Sequence, residues 1–190
     1  MVPEIWIAFS EVSGIPELRR TTRDEPDYDK LMKWRIGILK EHGLGLKEIQ
    51  DVIARIEPLP GALEFLNELR SFTQALIISD TFTEFAMPLM KKLGWPTLFC
   101  NSLEVAPNGE ITGHKMRIEN SKYSTVKALQ SIGFETIGIG DSYNDLAMIT
   151  AGKDGFLFRT TEKIRADYPQ IPAFEEYGDL MAAIREAVGR

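Results

Sequence analysis

The run from Thr136 to Asp145, Thr-Ile-Gly-Ile-Gly-Asp-Ser-Tyr-Asn-Asp, constrains the fold more than any other stretch of the chain. Its β-branched and glycine residues up to Gly140 predict a short buried strand, after which come Asp141 and Asp145. In an open α/β sheet, ligands bind beyond the carboxyl ends of the strands. Carboxylates at that edge suit a hard cation such as Mg²⁺, although a simple helix cap by Asp141 or Ser142 would give the same pattern.

A second strand-like run, Gln74 to Ser79, also ends in small polar residues. The hydroxyls of Ser79 and Thr81, with the backbone N–H groups of the same loop, form an arrangement that can hold phosphate. A capping box is the alternative, because Glu84 follows Thr81 by three positions. One loop could serve both purposes, so the sequence leaves both interpretations open.

Lys122 precedes a helical pattern that runs from Ser124 to Ser131. A single lysine without context is expected to face solvent. Here it stands between the two polar strand ends, in the order hydroxyl, lysine, paired acids. That order favours a role at a bound phosphate.

These motifs together resemble the haloacid dehalogenase superfamily of phosphatases. Ser79 is similar to its second motif, Lys122 to its third, and Gly140-Asp-Ser-Tyr-Asn-Asp145 to its fourth. The likeness is greatest to the phosphoserine phosphatase branch, and within it to bacterial enzymes that also transfer phosphate to homoserine. It extends to Pro3-Glu-Ile-Trp6 and to Arg165-Ala-Asp-Tyr-Pro-Gln170.

The resemblance implies Mg²⁺-dependent chemistry on phosphoserine through an aspartyl-phosphate, with water or homoserine as the phosphoryl acceptor. Asp141 would bind the metal. The catalytic residues that it implies are Lys122, Ser79 and Asp145. The substrate-binding residues that it implies are Glu4, Arg35, Ser79, Asp80, Thr81, Lys122 and Asn144.

Two of these residues would recognise the amino-acid part of the substrate. Glu4 would contact the amino group and Arg35 the carboxylate, for which a bidentate guanidinium is suited. The alternatives are that Glu4 complements the dipole of the first helix, and that Arg35 is a surface arginine.

The first motif of the family, Asp-x-Asp/Glu at the end of the first strand, is absent. It should lie just before Val2, and the only Asp-x-Asp, Asp27-Tyr-Asp29, follows a polar run and not a strand. That motif holds the nucleophile and the general acid. We therefore expect the chain as given to lack a central strand and to be inactive. Either the start is assigned too late in the gene, or the chain is an inactive homologue that binds a small molecule or a partner.

Alternating helices and strands predict an α/β fold with a doubly wound, parallel, Rossmann-like sheet. We expect residues 12–56 to form a small helical cap domain, inserted into a core domain made of residues 1–11 and 57–190. Pro107-Asn-Gly109 predicts an antiparallel hairpin at the edge of the sheet. His114, just after it, is expected to be structural or exposed.

Composition and the remaining motifs narrow the function further. The net charge of −6 opposes binding to nucleic acid or to an anionic membrane. A single cysteine, Cys100, excludes a disulfide framework. No apolar run approaches a membrane span, and Glu4 and Glu11 replace a basic leader, so we expect a cytoplasmic protein. The oligomeric state stays open, with a dimer as one option.

Two other functional classes fit poorly. Gly138-Ile-Gly140 could begin a dinucleotide-binding fingerprint, but Tyr143 stands where its third glycine is needed. A phospho-acceptor signalling domain would have to use Asp80, which has no acidic cluster upstream. Chemistry on a small phosphate ester therefore remains the expectation.

Overall fold

Helices and strands alternate along most of the chain in the computed structural model, which describes residues 4–21, 24–25 and 27–189. Two compact units divide between Arg117 and Ile118. The first unit contains α1 (Ile5–Ser13), α2 (Tyr28–Glu41), α3 (Leu46–Ile53), α4 (Ala62–Arg70), β1 (Leu76–Phe82), α5 (Thr83–Lys92), β2 (Thr97–Val105) and β3 (Ile111–Lys115). The second contains α6 (Ser121–Ser131), β4 (Ile137–Gly140), α7 (Leu146–Ala151), β5 (Asp154–Phe158), α8 (Glu162–Asp167), β6 (Ala173–Phe174) and α9 (Tyr177–Val188). Short 3-10 helices cover Pro16–Arg19 and Tyr143–Asp145.

The first unit has a three-stranded sheet in the order β1-β2-β3. Strand β2 changes partner along its length: Leu98 pairs in parallel with Ile77 of β1, whereas Leu103 pairs antiparallel with His114 of β3. Gly109, at φ +88°, forms the turn between β2 and β3 in a conformation that favours glycine. The predicted hairpin is confirmed, and β2 is nine residues long because the hairpin gives its second half a partner.

The second unit has a parallel sheet in the order β4-β5-β6. Helix α7 packs against β4 and β5. A buried apolar cluster lies between these elements and α8: Leu146, Ile149, Leu157 and Ile164. The expected α/β fold with parallel pairing is thus present in both sheets, and in the part of the chain described here no helix has the length and apolar character to cross a membrane.

An aromatic cluster fixes β1 against the helices of the first unit. The Phe82 ring packs edge-on against Phe85 and His114 and is stacked with Tyr28 of α2. The His114 side chain is only 5% exposed, and its Nε2 lies 3.3 Å from a carboxylate oxygen of Asp29. These contacts give His114 a structural role. The proposed division of cap and core at residues 12 and 56 stays a prediction, because both parts contribute to the same compact unit.

The capping box at Thr81, which the sequence left open as an alternative, does not form. Thr81 lies within β1. The N-cap position of α5 is occupied by Phe82, whose side chain makes no capping hydrogen bond. The Glu84 carboxylate instead accepts a hydrogen bond of 2.9 Å from the backbone N–H of Leu103 in β2. The Glu84 carboxylate therefore makes a tertiary hydrogen bond to β2 and does not cap α5.

Candidate active site

A buried ion pair joins two of the predicted site residues. Asp145 is only 6% exposed, and its Oδ1 accepts a hydrogen bond of 2.7 Å from Nζ of Lys122. Lys122 lies in the first turn of α6, and Asp145 ends the 3-10 helix that follows β4. The lysine and acid predicted from separate motifs therefore meet within the second unit.

The other carboxylate oxygen of Asp145 organises the loop that precedes it. Oδ2 accepts hydrogen bonds of 3.1 Å from the backbone N–H groups of Asp141 and Ser142, and one of 2.7 Å from the Ser142 hydroxyl. Burial alone would raise the pKa of Asp145, but the charge and hydrogen bond of Lys122 and the donors of the loop outweigh it and hold that pKa below its usual value. Asp145 is therefore an ionised, fully engaged carboxylate.

Asp141 has the opposite environment at the end of β4. Its side chain is exposed. Partial burial and then the nearby charge of Asp145 raise the pKa of Asp141. A divalent cation would offset the repulsion between these two carboxylates, and carboxylate oxygens are ligands that Mg²⁺ prefers. The residue therefore fits a magnesium ligand, although the described residues bring together no group of three His, Cys, Asp or Glu side chains for a metal.

Gly140 makes this geometry possible, a role that the sequence did not reveal. A Cβ at Gly140 would lie 2.5 Å from Cγ of Asp145 and 2.7 Å from its Oδ2. Any other residue would therefore push the carboxylate away from Lys122. The sequence pattern identifies Gly140 only as the last residue of a strand.

The rest of the motif loop is also engaged. The Asn144 side-chain oxygen contacts the Ser142 hydroxyl. Asn144, a predicted substrate-binding residue, is therefore part of the hydrogen-bond network of the loop.

Tyr143 connects the same loop to α8. It donates a hydrogen bond of 2.5 Å to Asp167, and that bond raises the pKa of Tyr143 to about 12. The contact gives a structural purpose to part of the Arg165–Gln170 stretch that the resemblance included.

The residues predicted to hold phosphate, Ser79 to Thr81, lie in the first unit within β1. The predicted loop after Ser79 is wrong, because the strand continues to Phe82. The backbone N–H of Thr81 donates a hydrogen bond of 3.2 Å to the Ser79 hydroxyl. The carbonyl of Asp80 accepts hydrogen bonds of 3.1 Å from the Tyr28 hydroxyl and from the Asn101 side chain. Joint action of Ser79, Asp80 and Thr81 with the residues of the second unit stays a prediction.

Arg35 is buried, so the alternative of a surface arginine is wrong. It is 3% exposed, its guanidinium lies 4.4 Å from the centre of the Trp6 ring, and Nη2 donates a hydrogen bond of 2.6 Å to the carbonyl of Arg20. Burial lowers the pKa of Arg35 to about 10, against the opposing effects of Tyr28 and Glu4. Nε is buried without a hydrogen-bond partner among the described residues, which leaves a donor for a ligand.

The Asp27-Tyr-Asp29 sequence lies at the start of α2 and not at the end of a strand, so it does not replace the first motif of the family. Asp27 is the N-cap of α2, where its side chain accepts a hydrogen bond of 3.2 Å from the N–H of Lys30. Asp29 pairs with Lys33 at 2.5 Å and with His114. Both carboxylates therefore stabilise α2 and its contacts.

Residues 14–152 match the family described as haloacid dehalogenase-like hydrolase. The chain belongs to this family. This hydrolase is 47% identical to phosphoserine phosphatase ThrH of Pseudomonas aeruginosa. The match covers 100% of this chain and 93% of the ThrH chain. This hydrolase is 45% identical to a phosphoserine phosphatase of Pseudomonas syringae pv. tomato, over all of its own length and 80% of that protein's.

Solved structures show the same fold. A substrate-bound phosphoserine phosphatase complex superposes with a TM-score of 0.76 at 22% identity, covering 97% of this hydrolase and 92% of that chain. An apo phosphoserine phosphatase gives a TM-score of 0.72 at 23% identity, covering 93% and 89%. The predicted family and the predicted α/β fold are both confirmed.

Gly140→Ala should disrupt the Lys122–Asp145 pair, because the added methyl group occupies the space of the Asp145 carboxylate. We expect a lower free energy of unfolding, by about 1–3 kcal/mol, in urea denaturation. Gly178→Ala is the matched control, since nothing lies within 4 Å of its Cβ position in α9. Equal losses in the two variants would contradict the close approach at Gly140.

Lys122→Met should leave Asp145 buried without its counter-charge and cost about 3–5 kcal/mol of stability at pH 7. Lys122→Met combined with Asp145→Asn should recover part of that loss. Because the folded-state pKa of Asp145 lies below its reference value of 3.8, the wild-type pair stabilises the fold above that pH. Its contribution is lost as pH falls through the folded-state pKa. Carboxyl-detected NMR titration should show a higher pKa of Asp145 in Lys122→Met, and an unchanged pKa would refute the pair.

Proposed function

We propose that this haloacid dehalogenase-like hydrolase binds O-phosphoserine and that its site is built to remove or transfer the phosphoryl group with Mg²⁺. The observation that carries the proposal is the Lys122–Asp145 pair, 2.7 Å apart, next to the Asp141 carboxylate at the end of β4. The relatives named phosphoserine phosphatase, which align along the whole chain, support the substrate.

Lys122 is proposed as the charge partner of the phosphate. Its side chain is 13% exposed, so its charge is only weakly screened, and Asp145 holds the ammonium in one position. A fixed cation that needs no reorganisation stabilises the negative charge that develops during phosphoryl transfer. Asp145 would thus act by orienting Lys122 and the loop, and Asn144 would contact the substrate from that same loop.

Asp141 is proposed to hold Mg²⁺. When bound, the ion would act as a Lewis acid on the phosphate oxygens. Asp141 suits this role because its carboxylate is exposed, while Asp145 beside it is already occupied by Lys122, Ser142 and backbone N–H groups. In this proposal Asp141 binds the metal, and Asp145 orients Lys122 and the loop.

The first unit is proposed to recognise the rest of the substrate. Ser79 and Thr81, with Asp80 between them, would hold phosphate oxygens through hydroxyl and N–H groups. Arg35 would bind the carboxylate through its unpartnered Nε–H, and Glu4 the ammonium group.

The proposed route passes through an aspartyl-phosphate, whose nucleophile is the carboxylate of the family's first motif. The second candidate is an inactive homologue that binds phosphoserine without turning it over. The helix-capping role of Asp27 favours this candidate, because Asp27 does not supply that nucleophile. Water and homoserine are the two proposed acceptors for a form that carries the motif.

Isothermal titration calorimetry and a phosphate-release assay on the same preparation test this proposal. We expect phosphoserine to bind more tightly when Mg²⁺ is present, and EDTA to remove that gain. Phosphate monoesters hydrolyse extremely slowly without a catalyst, so phosphate release at the uncatalysed level together with binding would favour the inactive homologue. Absence of binding would refute the proposed substrate, whereas turnover would show that a carboxylate of this chain, with Asp80 as first candidate, accepts the phosphoryl group.

Arg35→Met should weaken phosphoserine binding by roughly 10- to 100-fold, as expected for a lost charge-assisted hydrogen bond. Phosphoethanolamine lacks the carboxylate, so its affinity should not change. Arg55→Met, an exposed arginine of the same unit, is the control and should affect neither ligand. Equal losses for both ligands in Arg35→Met would refute the assignment of Arg35 to the carboxylate.

A further inference from the structure

Arg159, directly after β5, has a backbone conformation that needs an explanation. Its φ of +52° places it in the left-handed region, which residues with a Cβ rarely adopt. Such conformations cost free energy and persist only where the surroundings determine them, often beside functional sites.

The surroundings of Arg159 do determine its conformation. Its backbone N–H donates a hydrogen bond of 2.9 Å to the carbonyl of Phe174, and its Nε donates one of 2.8 Å to the carbonyl of Glu175. Its guanidinium lies 5.0 Å from the ring centre of Phe158 and 4.8 Å from that of Tyr177. Strand β5 and the segment from β6 to α9 thus hold this one residue from several sides.

The next residue reaches the acidic loop. The Thr160 hydroxyl donates a hydrogen bond of 2.6 Å to the backbone carbonyl of Asp141. The backbone N–H of Asp141 is bound to Oδ2 of Asp145 at 3.1 Å. Asp145 Oδ2 also accepts a hydrogen bond from the backbone N–H of Ser142, so it holds the N–H of both peptide groups that flank Asp141. Thr160 binds the carbonyl of the second of these groups and is its only bonded partner outside the acidic loop among the hydrogen bonds described.

We propose that Thr160 is a positioning residue for Asp141. Its hydroxyl fixes the peptide between Asp141 and Ser142, which sets the direction of the Asp141 carboxylate, and the left-handed turn at Arg159 places the hydroxyl there. The inference rests on the proposed function, since it assigns the direction of that carboxylate to Mg²⁺ binding. A threonine remote in sequence from the motif thereby becomes part of the metal site without being a ligand.

The test is a Mg²⁺ titration of the full chain, followed by the NMR shifts of the backbone amides from Gly140 to Asp145, with urea denaturation of each variant in parallel. Thr160→Val keeps the shape of the side chain and removes the hydroxyl, and should raise the Kd for Mg²⁺ by about 3- to 10-fold. Thr160→Ser restores a hydroxyl and should bring the Kd back to within about 2-fold.

Thr161→Val is the matched control, because it makes the same change at the next position. Thr161 is the N-cap of α8 and accepts a hydrogen bond of 3.3 Å from the N–H of Ile164. Its replacement should lower the urea midpoint while leaving the Kd for Mg²⁺ unchanged.

The outcomes separate this inference from the function on which it rests. If the wild-type chain responds to Mg²⁺ and Thr160→Val has the same Kd, Thr160 only stabilises the loop and the inference is overturned, while the metal site stands. If Thr161→Val weakens Mg²⁺ binding as much as Thr160→Val does, the effect follows stability and the inference is equally overturned. If Mg²⁺ shifts none of these amides in the wild-type chain, the proposed metal site itself fails.

Discussion

A carboxylate that is almost fully buried stays ionised only when a counter-charge and hydrogen-bond donors replace its lost hydration. Asp145 meets this condition with Lys122 on one oxygen, and with Ser142 and backbone N–H groups on the other. The position of α6, the absence of a side chain at Gly140 and the folding back of the loop after β4 all serve this one group. The rest of the site depends on it, because the same bonds place the lysine and the second acid.

Two acids four residues apart thereby acquire different properties. The pKa of Asp145 lies below its usual value, because Lys122 and the donors of the loop outweigh the effect of burial. The pKa of Asp141 lies above its usual value, because partial burial and the charge of Asp145 raise it. Paired carboxylates whose environments move their pKa values apart commonly have separate roles in phosphate and sugar chemistry. In this protein the internal acid shapes the site, and the exposed one is left for a ligand.

Features with strong local signals could be predicted from the sequence. The strand that ends at Gly140 and the hairpin at Asn108-Gly109 follow from chain-local glycine and β-branched patterns. The Thr160–Asp141 bond joins residues 19 positions apart, and depends on a left-handed Arg159 that is held by later elements. No short-range pattern encodes such contacts. The misassigned Glu84 shows the same limit, because its hydrogen bond to β2 replaced a cap that was locally just as plausible.

In the first unit, Tyr28 connects helix α2 to the strand segment Ser79 to Thr81, for which phosphate binding is proposed. Its hydroxyl donates to the carbonyl of Asp80, and burial raises the pKa of Tyr28 so that the hydroxyl keeps its proton. Arg35 lies two helical turns further along the same α2 helix, fixed on Trp6. If Ser79 to Thr81 bind the phosphate and Arg35 binds the carboxylate, as proposed, α2 sets the distance between the two anionic groups. A substrate with its phosphate and carboxylate at that distance would satisfy both sites, whereas a longer or shorter one would leave Nε of the buried guanidinium unpaired. Selectivity in such an arrangement comes from the cost of leaving that guanidinium unpaired as much as from the attraction between the paired charges.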